Sequence, residues 1–190
     1  MRACVFLADG FEEIEGLTVV DILRRAGVET RTVSITERRL VTGSHQIPVT
    51  ADSCIKETDF SEAELLVLPG GMPGTRYLGE CRPLTELLLQ FFREGRKVAA
   101  ICAAPSVLGG LGILEGKKAA CYPGFEDKLK GAEVVFDQVV RDGNVTTSRG
   151  MGTAIPFALD LVSQLVSEEN STSASRSPDL GEEKRSSSMV

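Results

Sequence analysis

One cysteine lies in a sequence context that suits a nucleophile. Residues 98–110, VAAICAAPSVLGG, lead an apolar run into Cys102, with small residues around it and Pro105 three positions later. A strand, a tight turn holding the nucleophile and a helix form the nucleophile elbow, whose serine version reads G-x-S-x-G. Pro105 suits a first helical turn, and a helix N-terminus favours a thiolate. The alternative is a buried structural cysteine, which is common for this residue type.

Other polar groups could meet that thiol. Glu12, Glu13 and Glu15 follow the first apolar run, and the first two are interpreted as solvated acids that complement a helix dipole. The backbone N–H groups of residues 70–71, in LPGGMPG, could stabilise a developing oxyanion or simply form a turn. His45, the single histidine, lies in a polar loop segment and is interpreted as solvated.

Two further observations limit the chemistry. The five cysteines are odd in number and include no C-x-x-C spacing, so neither a disulfide framework nor a zinc site is expected. The chain contains no G-x-G-x-x-G motif and no Walker A motif, so we expect no metal and no cofactor. The cysteines interpreted as structural are Cys4, Cys54, Cys81 and Cys121.

Composition excludes several classes of partner. The chain has 190 residues, of which 42% are hydrophobic and 25% charged, with a formal net charge of -6. This charge argues against nucleic acid or an anionic membrane as the main partner. No apolar run approaches the roughly 20 residues that span a bilayer. The N-terminal segment turns acidic too early for a signal peptide, so we expect a cytoplasmic protein with reduced thiols.

Apolar segments of strand length alternate with amphipathic segments of helix length. The strand-like segments are RACVFLA, ETRTVSI, AELLVLPGG, KVAAIC and KKAACY. The helix-like segments are EGLTVVDILRRAG, RPLTELLLQFFREG, APSVLGGLGIL and TAIPFALDLVSQLV. RLVTGSHQIPVTAD resembles a hairpin, and AEVVFDQVVRDGNVTTSRG resembles strands around a turn. The alternation predicts an α/β fold with a mainly parallel sheet, whose site lies where ADGFEEIE, LPGGMPG and ICAAP meet.

A change in composition predicts the domain boundary. Residues 167–190 are rich in serine and charge and carry almost no large apolar side chains. Such a segment buries too little apolar surface to offset the entropy of ordering it. We therefore expect one α/β domain over residues 1–166 and a disordered tail over residues 167–190.

Four blocks together resemble the ThiJ/PfpI superfamily, and most closely its parkinsonism-associated deglycase branch. The blocks are LADGFEEIE, LPGGMPG, AAICAAP and TSRGMGTA, in the family's order and spacing. The resemblance covers about residues 1–166. It implies a flavodoxin-like three-layer α/β sandwich, similar to class I glutamine amidotransferases, and usually a homodimer.

The resemblance also implies roles for individual residues. Cys102 matches the family's nucleophile, and Glu15 matches the carboxylate that hydrogen-bonds it. Gly71 and Ala103 match residues whose backbone N–H groups form an anion pocket. Arg149 matches an arginine near the subunit interface, although on its own it could equally bind an anion.

Three positions depart from related patterns. Tyr122 precedes Pro123 where many animal members have a histidine, and His45 falls about where those members have an arginine. Both are candidates for substrate contact. Ala103 follows the nucleophile where intracellular peptidase-like members carry a histidine, which disfavours a Cys-His peptidase.

The resemblance implies a cofactor-free, thiol-dependent reaction that protects against carbonyl and oxidative stress. Its substrates would be methylglyoxal, which gives lactate, or early adducts of glyoxals with proteins or nucleotides. A Cys102 thiolate would add to the aldehyde while Glu15 carries protons. Because two adjacent acids do not both ionise readily, we expect Glu15 to hold the proton beside a thiolate. The alternative is a non-enzymatic redox sensor or chaperone that uses oxidation of Cys102.

Overall fold

A seven-stranded sheet runs through the middle of the computed structural model, which describes residues 2–166. The predicted tail, residues 167–190, lies outside the described residues. The strands of the described part are β1 (Ala3–Leu7), β2 (Thr30–Ser34), β3 (Leu40–Thr42), β4 (Pro48–Thr50), β5 (Ser53–Cys54), β6 (Leu65–Leu68), β7 (Lys97–Ile101), β8 (Lys118–Ala119), β9 (Glu133–Val134), β10 (Val139–Asp142) and β11 (Val145–Ser148). The α-helices are α1 (Glu13–Arg25), α2 (Gly74–Glu80), α3 (Arg82–Arg93), α4 (Pro105–Gly110) and α5 (Ala154–Leu165).

The order of strands in this sheet is β10-β11-β7-β6-β1-β2-β5. Its neighbouring pairs are parallel except for β10 and β11, which form an antiparallel hairpin. The predicted α/β fold with a mainly parallel sheet is confirmed. The predicted hairpin in the second quarter of the chain is also present, as the pair β3 and β4.

Helices cover both faces of the sheet, which makes three layers. Val5 and Leu7 face the side where α1 and α5 pack, whereas Cys4 and Phe6 face α2, α3 and α4. Strand side chains alternate between faces, and here both faces meet apolar helices. All five residues of β1 are therefore buried, and the sequence shows a continuous apolar run.

Each long helix carries the signals that its sequence predicts. In α3, Leu84, Leu88 and Phe91 are fully buried at helical spacing, and proline occupies the first turn. Burying one such side chain contributes roughly 1.5–3 kcal/mol. In α1, acidic residues occupy the first turn and basic residues the last, which complements the helix dipole.

Two helices differ from the sequence analysis. The helix α2 was not predicted, because its sequence GTRYLGE contains two glycines, Gly74 and Gly79, and glycine has a low helix propensity. Burial of Leu78 against the sheet stabilises it. The predicted helix after Cys102 ends at Gly110, and the following turns contain a glycine with positive φ, Gly112. None of the described helices combines the length and apolar character needed to cross a membrane.

The hairpin of β3 and β4 is held over the start of α1. The N–H of Gly10 donates to the carbonyl of Thr42 at 2.7 Å, and the N–H of Ser44 donates to the carbonyl of Phe11 at 2.8 Å. The Asp9 carboxylate accepts from the N–H of Thr42 at 2.9 Å. These bonds bring the hairpin loop to the carboxyl ends of the central strands.

Candidate active site

Cys102 lies one residue beyond β7 in a conformation that few L residues adopt. Its φ is +65°, a left-handed value that costs about 1–3 kcal/mol in a non-glycine residue. Its N–H donates to the carbonyl of Ser148 at 3.0 Å, and its carbonyl accepts from the N–H of Tyr122 at 2.8 Å. The strand β7, the tight turn and the helix α4 therefore form the arrangement that the sequence predicts around this cysteine.

Glu15 reaches the thiol from the first turn of α1. Its side chain is 1% exposed, it hydrogen-bonds Cys102, and its Oε2 accepts the N–H of Gly70 at 2.9 Å. Burial raises the pKa of Glu15 to about 7, although both hydrogen bonds lower it. The Gly70 N–H, a predicted oxyanion donor, is thus engaged by Glu15. A carboxyl group with this pKa can both accept and donate a proton at neutral pH.

Two effects oppose the thiolate that the sequence analysis expects at Cys102. Burial, together with the charge and the hydrogen bond of the Glu15 carboxylate, raises the pKa of the thiol to about 12. The N–H groups of Ala103 and Gly71 lower the pKa but do not outweigh burial. Because Cys102 and Glu15 share a hydrogen bond, they titrate as a coupled pair, and the order in which they lose their protons stays a prediction.

The interpretation of Glu12 and Glu13 as solvated acids is wrong. Glu13 is only 4% exposed, and its carboxylate accepts the backbone N–H of His45 at 2.8 Å and lies 2.9 Å from Nδ1 of His45. Burial raises the pKa of Glu13, but these hydrogen bonds and one from Ser44 lower it to about 2. The Glu12 side chain is 17% exposed and lies beside the same loop.

His45 is exposed, as expected, but it is not merely solvated. The hydrogen bond to Glu13 is the main cause that raises the pKa of its ring, and the charge of Glu12 adds to this. The ligand atoms of Glu12, Glu13 and His45 lie within 4.8 Å of one another, a spacing that could hold a metal ion. Because Glu13 is already satisfied by protein donors, hydrogen bonding alone accounts for the cluster.

A pocket of about 390 Å³ opens onto the sulfur. Its walls bring together most of the predicted site residues with several side chains that the sequence analysis missed. They are Glu12, Glu15, His45, Gly71, Met72, Cys102, Ala103, Tyr122, Phe125 and Met151. The missed members are Met72, Phe125 and Met151, for which no local sequence signal distinguishes a pocket wall from any other apolar position.

Arg149 lies outside this pocket. It lines a neighbouring pocket of about 240 Å³, together with Tyr122 and Pro123, and its Nη1 donates to the carbonyl of Phe136 at 3.5 Å. Tyr122 is exposed and lines both pockets. Met151 also lines both pockets, so Tyr122 and Met151 together connect Arg149 to the surroundings of Cys102.

The other cysteines lie away from the pocket wall. Cys4, Cys54 and Cys121 are buried, and Cys81 is half-buried at the C-terminal end of α2. Burial raises the pKa of Cys4 to about 12 and that of Cys121 to about 11. These environments agree with their interpretation as structural thiols.

The model of the DJ-1/PfpI family matches residues 1–164. Two Arabidopsis thaliana proteins, DJ-1 homologs B and A, are each 38% identical and cover 92% and 93% of this chain. The chain spans only 40% and 47% of their respective lengths. A deglycase of Pyrococcus abyssi is 34% identical over 87% of this chain and 99% of its own length.

A solved structure of a DJ-1 protein has a similar backbone fold. Toxoplasma gondii DJ-1, described as oxidized, aligns with a TM-score of 0.87 at 34% identity. The alignment covers 91% of this chain and 95% of the other.

Proposed function

The chain belongs to the DJ-1/PfpI family, and on that premise we propose that it is a cofactor-free, cysteine-dependent glyoxalase or deglycase. The substrates proposed are methylglyoxal and its early adducts with proteins or nucleotides. The observation that carries the proposal is the hydrogen-bonded pair of Cys102 and Glu15 at the base of an open pocket. The deglycase name of the Pyrococcus abyssi relative supports this reaction class.

The first step is addition of sulfur to the aldehyde carbon of methylglyoxal. The Glu15 carboxylate, with a pKa of about 7, accepts the thiol proton as the carbon–sulfur bond forms. A free thiolate is then not required, which agrees with the raised pKa of Cys102. The N–H groups of Gly71 and Ala103 donate to sulfur in the free protein and are close enough to stabilise the new alkoxide oxygen. Glu15 then passes the proton to that oxygen, which gives a hemithioacetal and leaves Glu15 ionised for the next step.

The second step moves a hydrogen between the two carbons. Glu15 takes the proton from the carbon bonded to sulfur, which gives an enediol, and returns a proton to the neighbouring carbon. The product is a thioester of lactate on Cys102. Water then adds to the thioester, the carbon–sulfur bond breaks, and lactate leaves while the thiol regains its proton. No electrons are exchanged with any external reagent, so the chain's own groups suffice.

Turnover by the pure protein tests the proposal. Lactate formation from methylglyoxal should be lost in Cys102→Ser and reduced by about 100-fold or more in Glu15→Gln, whereas Cys81→Ser should be unaffected. In the wild type, kcat/KM should rise with pH through an apparent pKa of about 7, because the ionised Glu15 is the base. Equal turnover in wild type and Cys102→Ser would reject the proposal.

We also propose that the protein acts as a cytoplasmic homodimer. Exposed apolar side chains near the site, Ile14, Met151 and Ile155, suit a subunit contact that places Arg149 at its edge. Sedimentation at micromolar concentration should give about twice the 20.4 kDa mass of one chain. A species of one chain's mass would contradict it.

A redox sensor is the second candidate function. The Toxoplasma gondii relative is described as oxidized, and Cys102 is the described cysteine that lines the open pocket. Peroxide would convert the thiol to sulfenic acid and water, and a second equivalent would give sulfinic acid. Mass spectrometry after mild peroxide, measured beside methylglyoxal turnover, distinguishes the two. Oxidation of Cys102 without any turnover would favour the sensor.

A further inference from the structure

Carboxylates dominate the charge of the Cys102 pocket. Among the described residues, its lining includes Glu12 and Glu15, with His45 as the single side chain able to carry positive charge. We propose that Glu12 is a specificity-determining residue that excludes anionic electrophiles from Cys102. The pocket then selects neutral or cationic carbonyl compounds, such as methylglyoxal and protein adducts, over anionic nucleotide adducts. This selection rests on the proposed function and narrows its substrates.

Glu12 is held in a fixed position at the pocket wall. It occupies the N-cap of α1, and its N–H donates to the carbonyl of Gly70 at 2.9 Å. The Ser44 hydroxyl lies 3.2 Å from its Oε2 and equally far from Oε2 of Glu13, so it can donate its one proton to either carboxylate. Because the side chain is only 17% exposed, solvent screens its charge less than that of a surface carboxylate. Its field therefore acts on whatever approaches the sulfur.

The positive groups nearby do not cancel this field. Nδ1 of His45 lies 2.9 Å from the Glu13 carboxylate but 3.7 Å from that of Glu12. A positive charge on His45 therefore mainly neutralises the charge of Glu13. The N-terminus of α1 offers only about half an elementary charge. Ionisation of Glu15 adds a further negative charge. The site is negative whichever group of the Cys102–Glu15 pair holds the shared proton.

Arginines near the site are engaged elsewhere. Arg38 pairs with Asp9 at 3.3 Å, and Arg149 lines the neighbouring pocket rather than this one. The rest of the wall is largely apolar, with exposed Met72 and Met151 at the opening. An uncharged substituent therefore gains contact on this wall, whereas a carboxylate or phosphate gains no cation.

Alkylation of Cys102 tests the proposal without requiring turnover. Iodoacetamide is neutral and iodoacetate is anionic, and both lose iodide to the same attacking sulfur. Their rate ratio at one pH cancels the ionised fraction of the thiol. Peptide mapping follows Cys102 alone, and neutral N-acetylcysteinamide gives the reference ratio.

The wild-type preference for iodoacetamide should exceed the reference by about threefold to tenfold at low ionic strength. It should fall towards the reference in about 0.5 M salt, where the Debye length is a few ångströms. Glu12→Gln should lose most of the preference, and Glu12→Asp, which keeps the charge, should retain it. The matched control is Glu62→Gln, which removes one exposed carboxylate on the loop before β6 and should leave the ratio unchanged.

Only a charge effect moves the ratio, because a structural disturbance changes both rates together. A wild-type ratio equal to the reference, or a ratio that Glu12→Gln leaves unchanged, would overturn the proposal. If the preference is found but methylglyoxal is not consumed, the proposed function fails and the anion exclusion stands. If methylglyoxal is consumed without the preference, the reverse holds.

Discussion

The backbone N–H of Gly70 donates to Oε2 of Glu15 at 2.9 Å, across the ends of two neighbouring strands. A Cβ added to Gly70 would lie 2.6 Å from that same oxygen and 2.5 Å from Cβ of Cys102. The absence of a side chain at Gly70 is thus what allows carboxyl and thiol to meet. The glycine contributes both the space for the pair and one of its hydrogen bonds.

Gly70→Ala should separate the pair. Relief of these close contacts requires movement of the Cys102 turn, so we expect a loss of about 1–3 kcal/mol in the free energy of unfolding. Reaction of Cys102 with iodoacetamide should also change. The control is Gly110→Ala, where an added Cβ meets nothing within 4 Å. Urea denaturation and alkylation rates that match between the two variants would contradict the packing argument.

Glu15 should make the protein less stable as pH rises. Burial raises its pKa from 4.5 to about 7, so the folded state binds its proton more tightly than the unfolded state. This contribution is complete below pH 4.5 and is lost as pH rises through about 7. The loss is on the order of 3 kcal/mol.

Glu15→Gln isolates that contribution. Because glutamine does not titrate, the stability of the variant relative to wild type should increase between pH 4.5 and about 7 and then level off. Urea denaturation at several pH values measures the difference. A difference that stays constant over this range would show that the carboxyl pKa is not raised.

Cys102 should be the first of the five cysteines to be alkylated. The sulfur lines an open pocket, and its neighbour Glu15 can accept the thiol proton, whereas Cys4, Cys54 and Cys121 are buried. Limiting iodoacetamide followed by peptide mapping measures the order. Earlier labelling of Cys81, which is half-buried, would show that access outweighs the proton acceptor.

The pKa of His45, the single histidine, reports on its hydrogen bond to Glu13. Glu13 raises the pKa of His45 above 6.5, so proton NMR of the imidazole should titrate above that value in the wild type. Glu13→Gln should lower the pKa, and Glu62→Gln should not. The added stability from this shift is present below pH 6.5 and lost as pH rises through the folded pKa of His45. An unshifted titration in the wild type would mean that the hydrogen bond is not kept in solution.

Sequence by itself determined most of the elements and the position of Cys102, and the family resemblance added Glu15, Gly71 and Ala103. The strand, turn and helix around Cys102 are encoded within residues 98–110, because apolar burial, small residues at a left-handed turn and a proline in the first turn are local signals. The parallel sheet also follows from alternating apolar strands and amphipathic helices. The helix α2 did not follow from the sequence pattern, because burial of Leu78 stabilises it rather than its own helix propensity.

Only the tertiary structure decided what each carboxylate does. Glu13 and Glu15 are two positions apart on α1, about 200° around the helix axis, so they face different neighbours. Glu15 turns to the strand ends and the thiol, whereas Glu13 turns to the hairpin loop, which supplies His45 from about thirty residues away. Ionisation depends on burial and on charges brought together by folding. Residue type and spacing therefore located the thiol, whereas the fold determined how burial and neighbouring groups shift the pKa of each carboxylate.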